Sequence, residues 1–246
     1  RLKYFHLKRR GVGRAKNFGL LKARGAVVAF TDDDCIVDKE WLKIIYTSFQ
    51  RDTDIEGMFG KVLPYKKTLN TGKVCPCIFL NRSRRFITQP RYHATRIGFG
   101  NNMSFKRRVF GKVGGFKEWL GPGSIGSNAE DAEFALRTIL GGYKLLYNPE
   151  AKIFHDRWLS EEEFRKQRLS YSCGEVASYG HLAFKGERLG KKVVADNFRD
   201  SYFKITRALK SLLFLKTSGF QLLFNALEEF LWRFRGLVVT LIYSTR

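Results

Sequence analysis

Three consecutive carboxylates, Asp32, Asp33 and Asp34, are the side chains of this sequence with the clearest potential for chemistry. They directly follow residues 25–31, an apolar run typical of a buried β-strand. Like charges this close repel each other unless a cation or a set of hydrogen-bond donors holds them. An Asp-x-Asp pair beyond the carboxyl end of a strand suits a hard divalent ion that also contacts phosphate oxygens. The alternative, equally favoured by this turn alone, is that Asp33 or Asp34 caps a helix at 38–49.

A second acidic pair, Glu130 and Asp131, follows a glycine-rich loop at 111–126 and opens a predicted helix at 129–140. Taken by itself, the pair is best explained as acids that match the positive end of the helix dipole. The functional alternative is that one acid is a general base, which a flexible loop holds beside a substrate.

His155 ends a strand-like segment at 151–155. A single histidine after an apolar run is more often a core or edge residue than a metal ligand. His155 gains a role as a ligand only if the fold brings it to Asp34.

The elements that must position these residues alternate between helix and strand patterns. Such alternation predicts an α/β domain. The predicted elements are a helix at 11–24, strands at 25–31, 56–63 and 97–105, helices at 38–49 and 129–140, one or two strands in 143–154, and helices from 160 onward. Residues 2–7 are predicted as a short strand, and 64–96 as an irregular loop or insertion.

Six short motifs stand in one order along residues 3–160. They are Gly13 to Gly19, Phe30 to Asp34, Gly100 to Phe105, Gly114 to Phe116, Glu130-Asp131 and Pro149 to His155. In this order they resemble glycosyltransferase family 2 enzymes of GT-A fold. The resemblance implies an α/β, Rossmann-like nucleotide-sugar-binding mixed sheet flanked by helices. It implies a catalytic domain at 1–160, without the family's first strand and nucleobase-binding segment, and a helical C-terminal extension at 161–246.

The resemblance also implies a role for each site residue. Asp34 and His155 would bind a divalent metal ion, Mg or Mn, on the diphosphate of a nucleotide sugar. Asp131 would be the catalytic base, with Glu130 as the next candidate. The residues expected to bind the donor are Lys16, Asp32, Asp33 and Asn102.

The implied reaction is a single displacement that inverts the anomeric centre. A metal ion stabilises the negative charge that builds on the leaving phosphate. One carboxylate accepts the proton of the attacking hydroxyl. Lys16 stands where the family usually has arginine, so a point charge replaces a bidentate contact. The Gln-x-x-Arg-Trp motif of processive synthases is absent, which favours addition of one sugar to a glycan or lipid-linked acceptor.

The charge of the chain indicates anionic partners. It has 45 basic and 23 acidic residues, a formal net charge of +22, and residues 57–117 contain no acid. A cationic field of this kind attracts nucleotide phosphates, lipid phosphates or nucleic acid. The competing interpretations are a basic nucleic-acid binder and a catalytically inactive membrane-surface protein. Neither explains the combination of Asp34, Asp131 and His155.

The tail at 198–243 is rich in Leu and Phe but interrupted by charges. No apolar run approaches the roughly 18 residues of a membrane span. Amphipathic helices that lie on an anionic bilayer, or pack on the domain, fit the pattern better. Four cysteines form no disulfide or zinc pattern, so we expect reduced thiols in a cytoplasmic protein, peripheral at the inner face of the cell membrane.

Overall fold

A mixed β-sheet holds the acidic turn in the computed structural model, which describes residues 2–66, 72–90, 97–214 and 218–244. The strands are β1 (Val27–Phe30), β2 (Cys35–Val37), β3 (Ile55–Pro64), β4 (Arg85–Ile87), β5 (Met103–Lys106) and β6 (Lys144–His155). Their order in the sheet is β1-β5-β3-β6-β2, and β4 also pairs with β6. β3 and β6 are parallel, whereas the other pairs are antiparallel.

Helices flank the sheet and make up the C-terminal part of the chain. They are α1 (Val12–Lys22), α2 (Trp41–Arg51), α3 (Arg107–Val113), α4 (Glu130–Leu140), α5 (Glu161–Phe184), α6 (Arg188–Leu213) and α7 (Gly219–Ser244). The predicted fold class, a mixed sheet flanked by helices with a helical C-terminal part, is confirmed. α5 begins with a capping box in which Ser160 N–H donates to Glu163 and Glu163 N–H donates to the Ser160 hydroxyl.

Two strand predictions are wrong. Residues 2–7 form no strand, and Leu2 and Tyr4 are exposed, because no described segment pairs with them. The segment 97–105 forms a strand only at its end, since a 3-10 turn at Gly100–Asn102 precedes β5. Two loop predictions are also incomplete: α3 occupies the start of the predicted glycine-rich loop, and β4 lies within the predicted insertion.

The sheet is packed on both faces. Met58 contacts the apolar cluster beneath α2, which includes Trp41, Ile45 and Phe49. The next residue of β3, Phe59, points to the other face and meets Phe105 edge to face, with ring centroids 5.8 Å apart. Phe105 belongs there to an aromatic cluster with Phe110, Phe116 and Phe134.

The described chain forms two compact units. The sheet unit comprises residues 14–117 and 131–165, and the helical unit comprises 1–13, 118–130 and 166–246. None of the described helices combines the length and the apolar character that a membrane span needs.

A buried arginine joins the two long helices of the helical unit. Arg233 of α7 donates to the Asn197 carbonyl at 2.6 Å and to the Ser201 hydroxyl at 2.7 Å. It also pairs with Asp200 at 2.9 Å and with Glu229 at 2.6 Å. A buried charge with these partners fixes how α6 and α7 align, because a shift between the helices would remove its three partners on α6.

Phe134→Ala tests the aromatic cluster. The Phe134 ring lies 4.7–4.9 Å from the rings of Phe105, Phe110 and Phe116 and is fully buried. Its removal should lower the free energy of unfolding by about 3–5 kcal/mol, measured by urea denaturation. Tyr46→Ala, at an exposed position of α2, should change it by less than about 1 kcal/mol. Equal effects of the two substitutions would contradict this packing.

Candidate functional site

The pairing of β2 with β6 brings Asp34 to His155. Cys35 is the strand partner of His155, and the Asp156 amide donates to the Asp34 carbonyl at 2.8 Å. Asp34 Oδ1 therefore lies 3.3 Å from His155 Nε2. The structure thus brings His155 to Asp34, which is the condition for a role of His155 as a metal ligand.

The ring of His155 is held in one orientation. The side chain is buried, and Nδ1 lies 2.8 Å from the Pro76 carbonyl. A carbonyl can only accept, so Nδ1 carries a proton and donates it. Nε2 then either carries a second proton or turns a lone pair toward Asp34. In the neutral ring, a lone pair would face a carboxylate oxygen, and a bound cation between the two atoms removes that repulsion.

Two thiols, of Cys35 and Cys75, border this pair, and neither was predicted as a site residue from the sequence. The ligand atoms of Asp34, Cys35 and His155 all lie within 4.8 Å of one another. Carboxylate oxygen, imidazole nitrogen and thiolate sulfur are all ligands of divalent metals, so this donor set fits such an ion. Cys75 Sγ lies 3.7 Å from Nδ1 of His155. The sequence feature that could have indicated a role for Cys35 is its position directly after Asp34, the last residue of the acidic turn.

Both thiols are protonated at neutral pH in the metal-free protein. Burial, and then the charges of Asp32 and Asp34, raise the pKa of Cys35 to about 12. Burial is also the main reason that the pKa of Cys75 is raised. Neither cysteine is therefore a free thiolate nucleophile without a metal.

Asp131 lies at the same edge of the sheet as the acidic turn. Its Oδ2 accepts a hydrogen bond from the Gly100 amide at 2.5 Å. Phe30, the last residue of β1, pairs with Met103, the first residue of β5. Asp32 follows β1 by two residues and Gly100 precedes β5 by three, so both extend from the same end of this strand pair. A Cβ atom at Gly100 would lie 2.7 Å from Oδ2, so only glycine allows this approach.

Glu130 is buried beside the glycine-rich loop. A Cβ atom at Gly121 would lie 2.8 Å from its Oε2, and Gly121 has a φ of +93°. Ala129, the residue before Glu130, also has positive φ, at 73°. The loop therefore contains positive-φ backbone conformations before α4, and these cost energy at any residue other than glycine.

The acidic turn is not a helix cap. α2 begins at Trp41 with Glu40 at its N-cap, and β2 lies between the turn and that helix, so capping by Asp33 or Asp34 is wrong. The Cys35 amide donates to the Asp32 carbonyl and closes the turn. Asp32 and Asp33 are exposed there.

The two remaining predicted donor-binding residues lie elsewhere in the sheet unit. Asn102 is buried, donates to the carbonyls of Lys61 and Ala151, and accepts from the Trp41 indole, so its amide is engaged inside the core. Lys16 Nζ lies 5.6 Å from the centre of the Phe116 ring. The structure brings neither side chain to the Asp34–His155 pair, and their contact with a donor stays a prediction.

Comparison with known proteins gives the same class as the motifs. The model of glycosyl transferase family 2 matches residues 1–114. A glucosyl-dolichyl phosphate glucuronosyltransferase of Haloferax volcanii is 25% identical over an alignment of 171 residues that covers 63% of this chain and 50% of that protein. The O-antigen chain rhamnosyltransferase RfbN of Salmonella typhimurium is 26% identical over an alignment of 224 residues that covers 85% of this chain and 68% of that protein. The chain thus spans about half the length of the first relative.

A solved structure shows a weaker likeness. The mannosyltransferase PcManGT from Pyrobaculum calidifontis, in complex with GDP-Man and Mn²⁺, aligns with 95% of this chain and 67% of its own at a TM-score of 0.49 and 16% identity. The two sequence relatives are both glycosyltransferases. The match of the glycosyl transferase family 2 model to residues 1–114 agrees with the family that the six motifs resemble.

Asp34→Ala tests the cation site without any substrate. Loss of one ligand should weaken Mn²⁺ binding about 10–100-fold in calorimetric titration, because the carboxylate supplies both charge and a donor atom. Asp33→Ala removes the neighbouring exposed carboxylate and should leave the affinity within about threefold. If both variants bind Mn²⁺ like the wild type, the pair formed by Asp34 and His155 is not the cation site.

Proposed function

We propose that the protein is an inverting glycosyltransferase that moves one sugar from a nucleotide-diphosphate sugar to a hydroxyl of a glycan or lipid-linked acceptor. The observation that carries the proposal is the meeting of Asp34 Oδ1 and His155 Nε2 at 3.3 Å, directly after an acidic turn at the sheet edge. The match of the glycosyl transferase family 2 model to residues 1–114 supports the reaction class.

Asp34 and His155 are the residues that would hold a divalent ion, Mg or Mn. Such an ion stabilises the charge of the departing diphosphate. The hydrogen bond from Nδ1 to the Pro76 carbonyl keeps Nε2 of His155 turned toward Asp34. Asp32 and Asp33, exposed on the same turn, would accept hydrogen bonds from hydroxyl or amide groups of a nucleotide sugar.

Asp131 is the proposed general base. It removes the proton of the acceptor hydroxyl while that oxygen attacks the sugar carbon opposite the leaving group, which inverts the anomeric centre. The Gly100 amide holds Oδ2, and the Ala132 amide donates to Oδ1 at 2.8 Å. These two backbone donors fix the orientation of the carboxylate.

The names of the relatives support a lipid-linked or polymeric glycan as the acceptor. One is named for glucosyl-dolichyl phosphate, a sugar on a lipid phosphate, and the other for the O-antigen chain. For such an acceptor, a membrane-bound enzyme gains effective concentration over one in solution.

The end of the α6–α7 pair supplies a surface suited to an anionic membrane. Gly219 of α7 packs against Leu212 of α6, and the large apolar side chains nearby are exposed, namely Leu209, Leu213, Phe214, Phe220, Leu222 and Phe224. Residues 201–227 contain basic side chains and no acid. Exposed apolar groups on a stretch of chain that carries basic side chains and no acid match the headgroup boundary of an anionic leaflet. We therefore propose peripheral binding at the cytoplasmic face of the cell membrane through this end, which we call the hairpin tip.

Asp131→Asn should abolish transfer and leave donor binding nearly unchanged, because only proton removal is lost. Turnover should fall at least about 100-fold in a radiolabelled transfer assay, while the Kd of the nucleotide sugar stays within about threefold. Glu130→Gln is the matched control and should retain most activity. Near-normal turnover of Asp131→Asn, with loss in Glu130→Gln, would move the base to Glu130.

The hairpin tip is tested by replacing Leu213 and Phe220 with glutamate. The double variant should lose binding to vesicles that contain anionic lipid, because it places two charges where apolar groups enter the headgroup region. Wild-type binding should weaken with added salt. Leu21→Glu, at an equally exposed position of α1, is the control and should bind like the wild type. Vesicle sedimentation that is equal for all three proteins would contradict docking through the tip.

A further inference from the structure

We propose that Cys35 is a third protein ligand of the metal, and that its sulfur makes the site select thiophilic divalent ions such as zinc over magnesium. The inference rests on the proposed function for its site, but it concerns metal binding alone and requires neither donor nor acceptor. It assigns a role to a thiol that the proposed reaction leaves unused.

The geometry of the sheet places the sulfur at the site. Cys35 and His155 are directly opposite partners on antiparallel strands, so their side chains lie on the same face. Cys35 Sγ lies 3.7 Å from Asp34 Oδ1, and the same oxygen lies 3.3 Å from His155 Nε2. Ligand lengths of about 2.0–2.3 Å put the donor atoms of one tetrahedral ion about 3.3–3.8 Å apart. The two measured distances fall in that interval.

The chemistry of the donors determines which ions are favoured. Magnesium prefers six oxygen ligands in octahedral geometry and gives up its water reluctantly. A set of one carboxylate, one imidazole and one thiolate is instead typical of zinc and related ions. On binding, the Cys35 S–H bond breaks, the sulfur keeps the electron pair and bonds to the metal, and the proton passes to solvent. The step involves no change of oxidation state.

Cys75 provides an internal comparison. Its sulfur lies 3.7 Å from Nδ1 of the His155 ring, and that nitrogen already donates to the Pro76 carbonyl. It is therefore on the side of the ring away from Asp34 Oδ1, and it is not among the three residues whose ligand atoms converge. We therefore expect Cys35, and not Cys75, to bind the metal.

The test is a titration of metal-free protein with Cd²⁺, which gives ultraviolet charge-transfer absorption when a thiolate binds it. Wild type and Cys75→Ser should develop this absorption with one equivalent of Cd²⁺, and Cys35→Ser should not. The Kd for Zn²⁺ should rise about 10–100-fold in Cys35→Ser, whereas the Kd for Mg²⁺ stays within about threefold. No absorption in the wild type, or full absorption in Cys35→Ser, would overturn the proposal.

A second measurement on the wild type covers the case in which Cys35→Ser does not fold. Zn²⁺ should slow the alkylation of Cys35 by iodoacetamide at least about tenfold and leave the alkylation rate of Cys77 unchanged. Mass spectrometry of peptides measures both rates. Equal rates with and without zinc would contradict the assignment. Because neither experiment includes a nucleotide sugar, a protein that binds Cd²⁺ through Cys35 but transfers no sugar would refute only the proposed function.

Discussion

The antiparallel pairing of β2 with β6 is the constraint on which the candidate site depends. β2 is only three residues long, yet backbone hydrogen bonds extend its pairing at both ends: the Asp38 amide donates to the Lys152 carbonyl, and the Asp156 amide donates to the Asp34 carbonyl. These bonds fix the register that puts Cys35 opposite His155. A slip by one residue would turn the Cys35 side chain to the face of the sheet opposite His155.

A buried amide supports the strands from which that pairing extends. Asn102 lies in the 3-10 turn before β5, and its two N–H groups bond to the carbonyls of Lys61 in β3 and Ala151 in β6, while its oxygen accepts from Trp41 of α2. The same turn presents the Gly100 amide to Asp131. One short segment thus links the core beneath α2 with the orientation of the proposed base. These bonds explain why the polar side chain of Asn102 is compatible with its burial.

The sequence predicted those elements that have a local pattern of apolar residues. It did not predict the elements and contacts that depend on pairing with another strand. The apolar run at 25–31 and the amphipathic pattern near 38–49 correspond to β1 and α2 with small shifts at their ends. β2 was missed, because Ile36 and Val37 are exposed and three residues carry no periodic signal. The meeting of Asp34 with His155 was expected from family resemblance, since no spacing rule relates residues 121 positions apart. Cys35 was missed because its role depends on the cross-strand register, which the sequence does not display.

Anomalous X-ray scattering from crystals grown with Mn²⁺ and a nucleoside diphosphate tests the central claim most directly. The proposed cation lies between the start of β2 and the end of β6, held by Asp34 and His155. It predicts one manganese peak within bonding distance of Asp34 Oδ1 and His155 Nε2, with the diphosphate on its open side. A fully occupied manganese peak bound by other residues, with His155 Nε2 still facing Asp34 directly, would contradict it.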